Sequence, residues 1–232
     1  MICVLYAMRQ EVASLLEAMD SCVQRQLEWT DIDQGVLYGT ELTLVRVGAG
    51  KVLSTMTTQL VIDKLSPSLL ILCGISGALH PNYERGDLVI GTEFMQHDLI
   101  THVLGFKPGQ IPFTDICVLP APATVLEKLK NFSLSDAKVH FGRILSGDQF
   151  VQHEKGAELR SLYQGDLVDM ESAAVAVVAH LNNIPLVVAR TISDKADAKA
   201  AKDFGSFLAD ASKHVSAFVS EVVRLKLAEM SH

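Results

Sequence analysis

The chain has 232 residues, of which 49% are hydrophobic and 20% charged, and its formal net charge is −7 at pH 7. This composition excludes an intrinsically disordered chain, because the apolar side chains suffice to bury a core. The negative charge argues against a nucleic acid or an anionic membrane surface as a partner, since binding to either usually relies on basic residues.

The sequence predicts neither a membrane span nor a signal peptide. The longest uncharged run lies between Lys64 and Glu84, and prolines and glycines interrupt it. Residues 1–8 are apolar but lack a basic start, so they predict a first core strand. The four cysteines are scattered without a C-x-x-C pair, which is typical of a reduced cytoplasmic protein with structural thiols.

Strand-like and helix-like patterns alternate along the first half of the chain. The predicted strands are 2–6, a hairpin of 36–38 and 42–47, 69–73 and 88–90, and the predicted helices are 11–19 and 52–65. Gly39 separates the hairpin strands, and Pro67 marks the end of the second helix. Residues 94–122 predict a long, partly ordered loop, and loops of this size usually have a function.

The second half continues the alternation. It predicts helices at 123–131 and 172–181 and strands at 139–145, 167–170 and 186–192. The last helix has the clearest apolar stripe, from Phe204 to Val222. Without internal repeats or linkers, the chain is predicted to form one domain over 1–232, a three-layer α/β/α arrangement with a mixed central sheet.

Three acidic residues follow predicted strands. Glu11 comes after the first strand, Glu171 after the 167–170 strand and Asp194 after the last strand. For each residue alone, the simpler interpretation is an acid that interacts favourably with a helix N-terminus. Ligands of α/β sheets bind beyond the carboxyl ends of strands, so the recurrence of acids at these junctions predicts a shared site.

Two other motifs are weaker. The turn Gly48-Ala49-Gly50-Lys51 lacks the spacing and the hydroxyl of a phosphate-binding loop, which favours a tight turn before a helix. His97-Asp98 could be a metal pair, but no third ligand lies at helical spacing, so a hydrogen-bonded loop histidine is the better interpretation. We expect no metal and no cofactor. The chain also lacks a G-x-S-x-G motif, which disfavours a serine hydrolase.

Short motifs that are weak singly occur together over nearly the whole chain. They are Ala7-Met8-x-x-Glu11-Val12, Gly50-Lys51-Val52, Gly86-Asp87, His97-Asp98 with Gly109-Gln110-Ile111-Pro112, Ser146-Gly147-Asp148-x-Phe150-Val151, Asp169-Met170-Glu171-Ser172-Ala173 and Arg190-Thr191-Ile192-Ser193-Asp194-x-Ala196-Asp197, with Phe204 and Phe207. In combination they resemble the bacterial 5′-methylthioadenosine/S-adenosylhomocysteine nucleosidases. The resemblance implies a nucleoside phosphorylase-like fold and a cytoplasmic, metal-free homodimeric enzyme that hydrolyses an N-ribosidic bond and releases adenine in methionine salvage.

The resemblance also implies a catalytic role for two of the acids and a binding role for the third. Glu11 matches the acid that activates the attacking water, and Asp194 matches the residue that protonates adenine N7. Glu171 matches the acid that holds the ribose hydroxyls.

Further matched positions are implied to bind substrate. Met170 lies under the sugar, Phe150 stacks on the base, the Val151 backbone pairs with the base edge, Met8 and Phe204 bound the 5′ substituent, and Arg190 and Ser193 complete the set. Leu104 and Phe106 occupy loop positions that in the family reach the partner subunit's pocket.

Two positions depart from the family pattern. Ile75 stands where the family often has serine, and Ala49 stands where it often has isoleucine, which should leave more room around the 5′ substituent. With Gln96 and Gln149, these residues are similar to the branch that also cleaves 6-amino-6-deoxyfutalosine in menaquinone biosynthesis.

Three alternatives to the methylthioadenosine and S-adenosylhomocysteine hypothesis therefore stay open. The first is a hydrolase of 6-amino-6-deoxyfutalosine or futalosine. The second is a phosphorylase of the same fold, which would need a cationic phosphate site where this chain has Glu11. The third is a non-catalytic nucleoside-binding protein, which would not need all three acids.

Overall fold

The computed structural model describes residues 1–152, 154–196 and 207–227. Phe204, at the start of the predicted last helix, lies outside these ranges. None of the helices in the described ranges is long and apolar enough to cross a bilayer.

A mixed sheet of ten strands forms the centre of the described structure. Its strands are β1 (Ile2–Tyr6), β2 (Asp20–Leu27), β3 (Thr30–Leu37), β4 (Thr40–Arg46), β5 (Leu69–Ala78), β6 (Leu88–Gln96), β7 (Leu119–Pro120), β8 (Val139–Ser146), β9 (Leu167–Asp169) and β10 (Leu186–Asp194). Their order is β10-β6-β8-β9-β5-β1-β4-β3-β2, and β7 pairs with β6.

One end of the sheet closes on itself because β5 pairs with three strands. It runs parallel to β1 over residues 69–72 and parallel to β10 over residues 70–77, and its last residues, Gly77 and Ala78, pair with β9. Since β10 also pairs with β6, the strands β5, β10, β6, β8 and β9 form a ring. The ring brings Asp194 opposite Gly77 and places the end of β9 beside the same stretch of β5.

Helices cover both faces of the sheet. They are α1 (Ala13–Ala18), α2 (Lys51–Leu65), α3 (Ala123–Leu129), α4 (Glu154–Tyr163), α5 (Ser172–Leu181) and α6 (Leu208–Arg224), with short 3-10 helices at Arg9–Val12 and His102–Leu104. Val4 packs with α1 and α6, whereas its neighbour Leu5 packs with α2 and α5. This alternation places one apolar core on each side of the sheet and confirms the predicted α/β class with a mixed central sheet.

Several predicted boundaries were wrong. The prediction missed β2, whose side chains are exposed except for the partly buried Leu27 and therefore show no apolar alternation. It also missed α4, which buries only Gly156 and Leu159. Strand β5 continues beyond Cys73 to Ala78, and β6 runs to Gln96 inside the predicted loop.

Candidate active site

A pocket opens where β1, β8, β9 and β10 end and beside the second half of β5. Its lining residues are Ala7, Met8, Glu11, Ala49, Ile75, Ser76, Gly77, Gln149, Phe150, Val151, Val168, Asp169, Met170, Glu171, Ser193 and Asp194. The three acids singled out by the sequence therefore lie in one pocket, as expected.

Glu11 is held by backbone N–H groups. The chain turns directly after β1, so the N–H groups of Ala7 and Met8 donate to Glu11 Oε2 at 3.0 and 2.8 Å. The Ile75 N–H on β5 donates to Oε1 at 3.2 Å. The residue is only 1% exposed, and burial raises the pKa of its carboxyl, opposed by the charge of Arg190 and by these three donors.

Arg190 lies behind the pocket wall. It is 1% exposed, and its Nη2 lies 2.8 Å from Asp169 Oδ2 and 3.3 Å from Glu171 Oε2. The family resemblance implied that Arg190 binds substrate, but Arg190 is not among the residues that line the pocket. Its guanidinium instead holds two acids of the wall in place.

Glu171 and Asp169 follow β9, where the chain enters α5. Glu171 Oε1 accepts the Gly50 N–H at 2.9 Å, and burial raises the pKa of the Glu171 carboxyl while Arg190 opposes that rise. Asp169 accepts hydrogen bonds from the hydroxyls of Ser146 and Ser172. Both acids are thus fixed by partners outside the pocket, which leaves Met170 between them on its lining.

Asp194 ends β10 and is 4% exposed. Ser193 Oγ donates to Asp194 Oδ2 at 2.7 Å, and the Ala196 N–H donates to Oδ1 at 2.8 Å. Gly77 lies opposite on β5, where a Cβ atom would stand 3.1 Å from Oδ1. A glycine here therefore leaves space for the carboxyl of Asp194.

The remaining wall is mainly apolar. Of the sequence-predicted binding residues, the structure places Met8, Ala49, Ile75, Phe150, Val151, Met170 and Ser193 on the lining. Leu104 is outside it and 69% exposed, and Phe106 packs edge-on against Phe113. Phe204 lies outside the described residues.

Several lining residues were missed from the sequence. Ser76 and Gly77 belong to β5, which the prediction ended too early at Cys73, and Val168 of β9 pairs with Gly77. Asp169 belongs to the motif Asp169-Met170-Glu171-Ser172-Ala173, but its spacing does not distinguish the role of Asp169 from that of Glu171. A strand prediction that continued through Gly74 would have found Ser76 and Gly77.

The pocket is acidic. Its charged lining residues are Glu11, Asp169, Glu171 and Asp194, and no lysine or arginine belongs to the lining within the described ranges. Across the part of the chain that the structure describes, no group of three or more histidine, cysteine or acidic residues is arranged to hold a metal ion. The arrangement can therefore place carboxylates on several sides of a polar group.

Comparison with known proteins gives one consistent result. The model of the phosphorylase superfamily matches residues 1–224. A 5′-methylthioadenosine/S-adenosylhomocysteine nucleosidase of Staphylococcus haemolyticus is 32% identical over 97% of this chain and 100% of its own length.

Solved structures agree with this. The 5′-methylthioadenosine/S-adenosylhomocysteine nucleosidase of Colwellia psychrerythraea, in complex with adenine, is 27% identical with a TM-score of 0.91 over 97% of this chain and 94% of that one. A futalosine hydrolase of Helicobacter pylori is 28% identical with a TM-score of 0.87 over 96% of this chain and 97% of that one.

The close packing around Glu11 makes Gly74 a sensitive position. A Cβ atom there would lie 2.7 Å from Glu11 Oε1 and would also clash with the guanidinium of Arg190. We expect Gly74→Ala to lower the free energy of unfolding by roughly 1–3 kcal/mol, measured by urea denaturation. Gly156→Ala is the control, because its added Cβ would meet neighbours at an ordinary 3.4 Å. Equal stability of the two variants would contradict this packing.

Proposed function

The chain belongs to the phosphorylase superfamily and, within it, to the 5′-methylthioadenosine/S-adenosylhomocysteine nucleosidases, and we propose that it hydrolyses the N-ribosidic bond of 5′-substituted adenosines. The observation that carries this proposal is the meeting of Glu11, Glu171 and Asp194 in one pocket with an apolar wall.

We further propose that residues 1–232 form a single domain. The free thiols of the buried Cys3 and Cys73 support a reducing, cytoplasmic location.

The proposed reaction needs two opposite proton transfers. Cleavage of the bond between C1′ and adenine N9 leaves positive charge on the ribose and negative charge on the base. Asp194 gives a proton to adenine N7, and Glu11 takes a proton from the water whose oxygen forms the new bond to C1′. Each transfer can contribute on the order of 10²–10⁴ in rate.

The contacts of each acid suit its proposed role. The N–H donors on Glu11 favour its charged form and fix the direction in which it can accept a proton. Hydrogen bonds from Gly50 and Arg190 hold Glu171, which supports its proposed role as an acceptor for the ribose hydroxyls. Phe150, which is 48% exposed at the pocket, offers an aromatic face to the base.

The charge of the pocket lining favours water over phosphate as the attacking molecule. A phosphorylase must attract a phosphate anion, and the lining within the described ranges carries acids and no lysine or arginine. The carboxylate of Glu11 would repel that anion. A non-catalytic binding protein would have no use for three buried acids, each of which is costly to remove from water.

We also propose a homodimer in which the loop with Leu104 and Phe106 reaches the pocket of the partner subunit. Exposed large apolar side chains at the start of α2 and in the segment 100–113 support this, since exposed apolar surface often belongs to an interface. They are Val52, Leu53, Met56, Ile100, Val103, Leu104 and Phe113.

Leu104→Asp should raise the monomer fraction in sedimentation equilibrium, because it places a charge in the proposed interface. An undisturbed dimer would count against the loop as part of the dimer contact.

A second candidate substrate is 6-amino-6-deoxyfutalosine, which is bulkier at its 5′ end. The small side chain of Ala49 on the lining favours it, and so does the likeness to the futalosine hydrolase. The methylthioadenosine reaction remains the first hypothesis because the relatives at 32 and 33% identity bear that name.

Replacing either proposed catalytic acid should abolish most of the activity while the fold survives. Asp194→Asn keeps the shape but cannot donate an acidic proton, and Glu11→Gln removes the base. We expect each to lower kcat for adenine release from methylthioadenosine, in buffer without phosphate, by on the order of 10²–10⁴. The exposed acids Glu17 and Asp210 give the controls Glu17→Gln and Asp210→Asn. A variant with the wild-type rate would refute the role of its residue, and a wild type that needs phosphate would refute hydrolysis.

Ala49→Ile should separate the two substrate candidates. Extra methylenes in a filled pocket typically cost roughly 1–3 kcal/mol. If they clash only with the larger 5′ group, kcat/KM for 6-amino-6-deoxyfutalosine should fall about 5- to 150-fold relative to that for methylthioadenosine. An unchanged ratio would remove Ala49 as a determinant of specificity.

A further inference from the structure

Two sequence motifs that the proposed reaction does not use meet at the rim of the pocket. Lys51, from the glycine turn before α2, places its Nζ 2.7 Å from Oδ1 of Asp98, from the pair His97-Asp98. Both side chains are largely buried, at 19% and 13% exposure. Lys51 Nζ also donates to Gln96 Oε1 at 3.3 Å. The lysine and the acid therefore satisfy each other instead of binding a phosphate or a metal.

Asp148 joins this pair to the loop that follows β8. Its N–H donates to Asp98 Oδ2 at 2.9 Å, and its Oδ1 accepts the Lys51 N–H at 2.8 Å. Asp98, Lys51 and Asp148 thus form a closed ring of interactions. The ring ties together the start of α2, the segment after β6 and the loop after β8, three parts of the chain far apart in sequence.

Each side of this ring leads directly to the pocket. Ala49, just before the ring on one side, lines the pocket, and the neighbouring Gly50 N–H holds Glu171 Oε1 at 2.9 Å. On the other side, Asp148 is followed by Gln149, Phe150 and Val151, which all belong to the lining. Asp98 and Lys51 are themselves absent from it.

The charge state of Asp98 suits this arrangement. Burial raises the pKa of its carboxyl, but the hydrogen bonds from Lys51 and from the Asp148 N–H outweigh burial and hold that pKa below its usual value. The carboxylate is ionised at neutral pH, so its hydrogen bonds are of the stronger, charge-assisted kind.

We propose that Asp98 is a positioning residue that, through Lys51 and Asp148, sets the spacing between the Ala49–Gly50 wall and the wall of residues 149–151. The inference rests on the proposed function, because the ligand between these walls is the 5′-substituted adenosine. Glu11 and Asp194 make no contact with the ring among the hydrogen bonds of the described residues. Disturbing the ring should therefore weaken substrate binding more than it slows the chemical step.

The proposal is tested by measuring whether variants of Asp98 and Lys51 change KM or kcat for methylthioadenosine. Asp98→Asn keeps the shape of the side chain and removes its charge, so we expect KM for methylthioadenosine to rise about 10-fold, as for a lost charged hydrogen bond, with a much smaller change in kcat. Lys51→Met should act in the same direction. Because both residues act through one ring, the double variant should be no worse than the more affected single variant.

A salt bridge elsewhere on the same helix provides the control. Lys64, at the other end of α2, lies 3.5 Å from Glu28, and both are about half exposed. Lys64→Met should leave KM unchanged. Thermal unfolding of every variant separates a lost fold from a displaced wall.

Three results would overturn the proposal. They are a wild-type KM in Asp98→Asn, a loss confined to kcat that tracks the folded fraction, and additive effects in the double variant. Failure of the proposed function is a different result, namely a wild type that releases no adenine from any of the nucleosides. In that case the affinity for adenine, measured by calorimetry, replaces KM, and equal affinities of wild type and Asp98→Asn would overturn the positioning role.

Discussion

The guanidinium of Arg190 is buried at the end of the sheet, and the acids around it depend on its charge. It pairs with Asp169 at 2.8 Å and with Glu171 at 3.3 Å, and its charge opposes the rise that burial causes in the pKa of Glu11. Carboxylates this close would repel one another without a cation between them. Breaking such a buried pair typically costs about 3–5 kcal/mol, so the site and the fold are coupled through this one side chain.

The ring of strands provides the space for this charge cluster. Strand β5 carries Gly74 beside Glu11 and Arg190, where an added Cβ atom would clash, and Gly77 beside Asp194, where it would make a tight contact of 3.1 Å. The same strand donates the Ile75 N–H to Glu11. The acids thereby acquire different surroundings: Glu11 meets backbone donors, whereas Asp194 meets a hydroxyl and one N–H.

Elements with a strong apolar pattern could be predicted from the sequence, and elements defined by pairing could not. The strand Ile2–Tyr6 and the helix Ser172–Leu181 were placed correctly because every residue of the strand and most apolar residues of the helix are buried. Strand β2 is an exposed edge, and the second half of β5 is rich in glycine, so neither shows the pattern of a strand. The acids were found because they follow strands. The position of Arg190 behind the wall and the pairing of Lys51 with Asp98 depend on contacts between distant segments, which no local pattern contains.

The pH dependence of kcat/KM for methylthioadenosine in phosphate-free buffer tests the central claim most directly, namely that a buried Glu11 is the base. A base must be ionised, and burial raises the pKa of Glu11 above its ordinary value of 4.5, so the rate should fall as the pH drops through that raised pKa. The account predicts an acidic limb centred above pH 4.5 that is missing from the residual activity of Glu11→Gln. The same acidic limb in both enzymes would show that another group is the base.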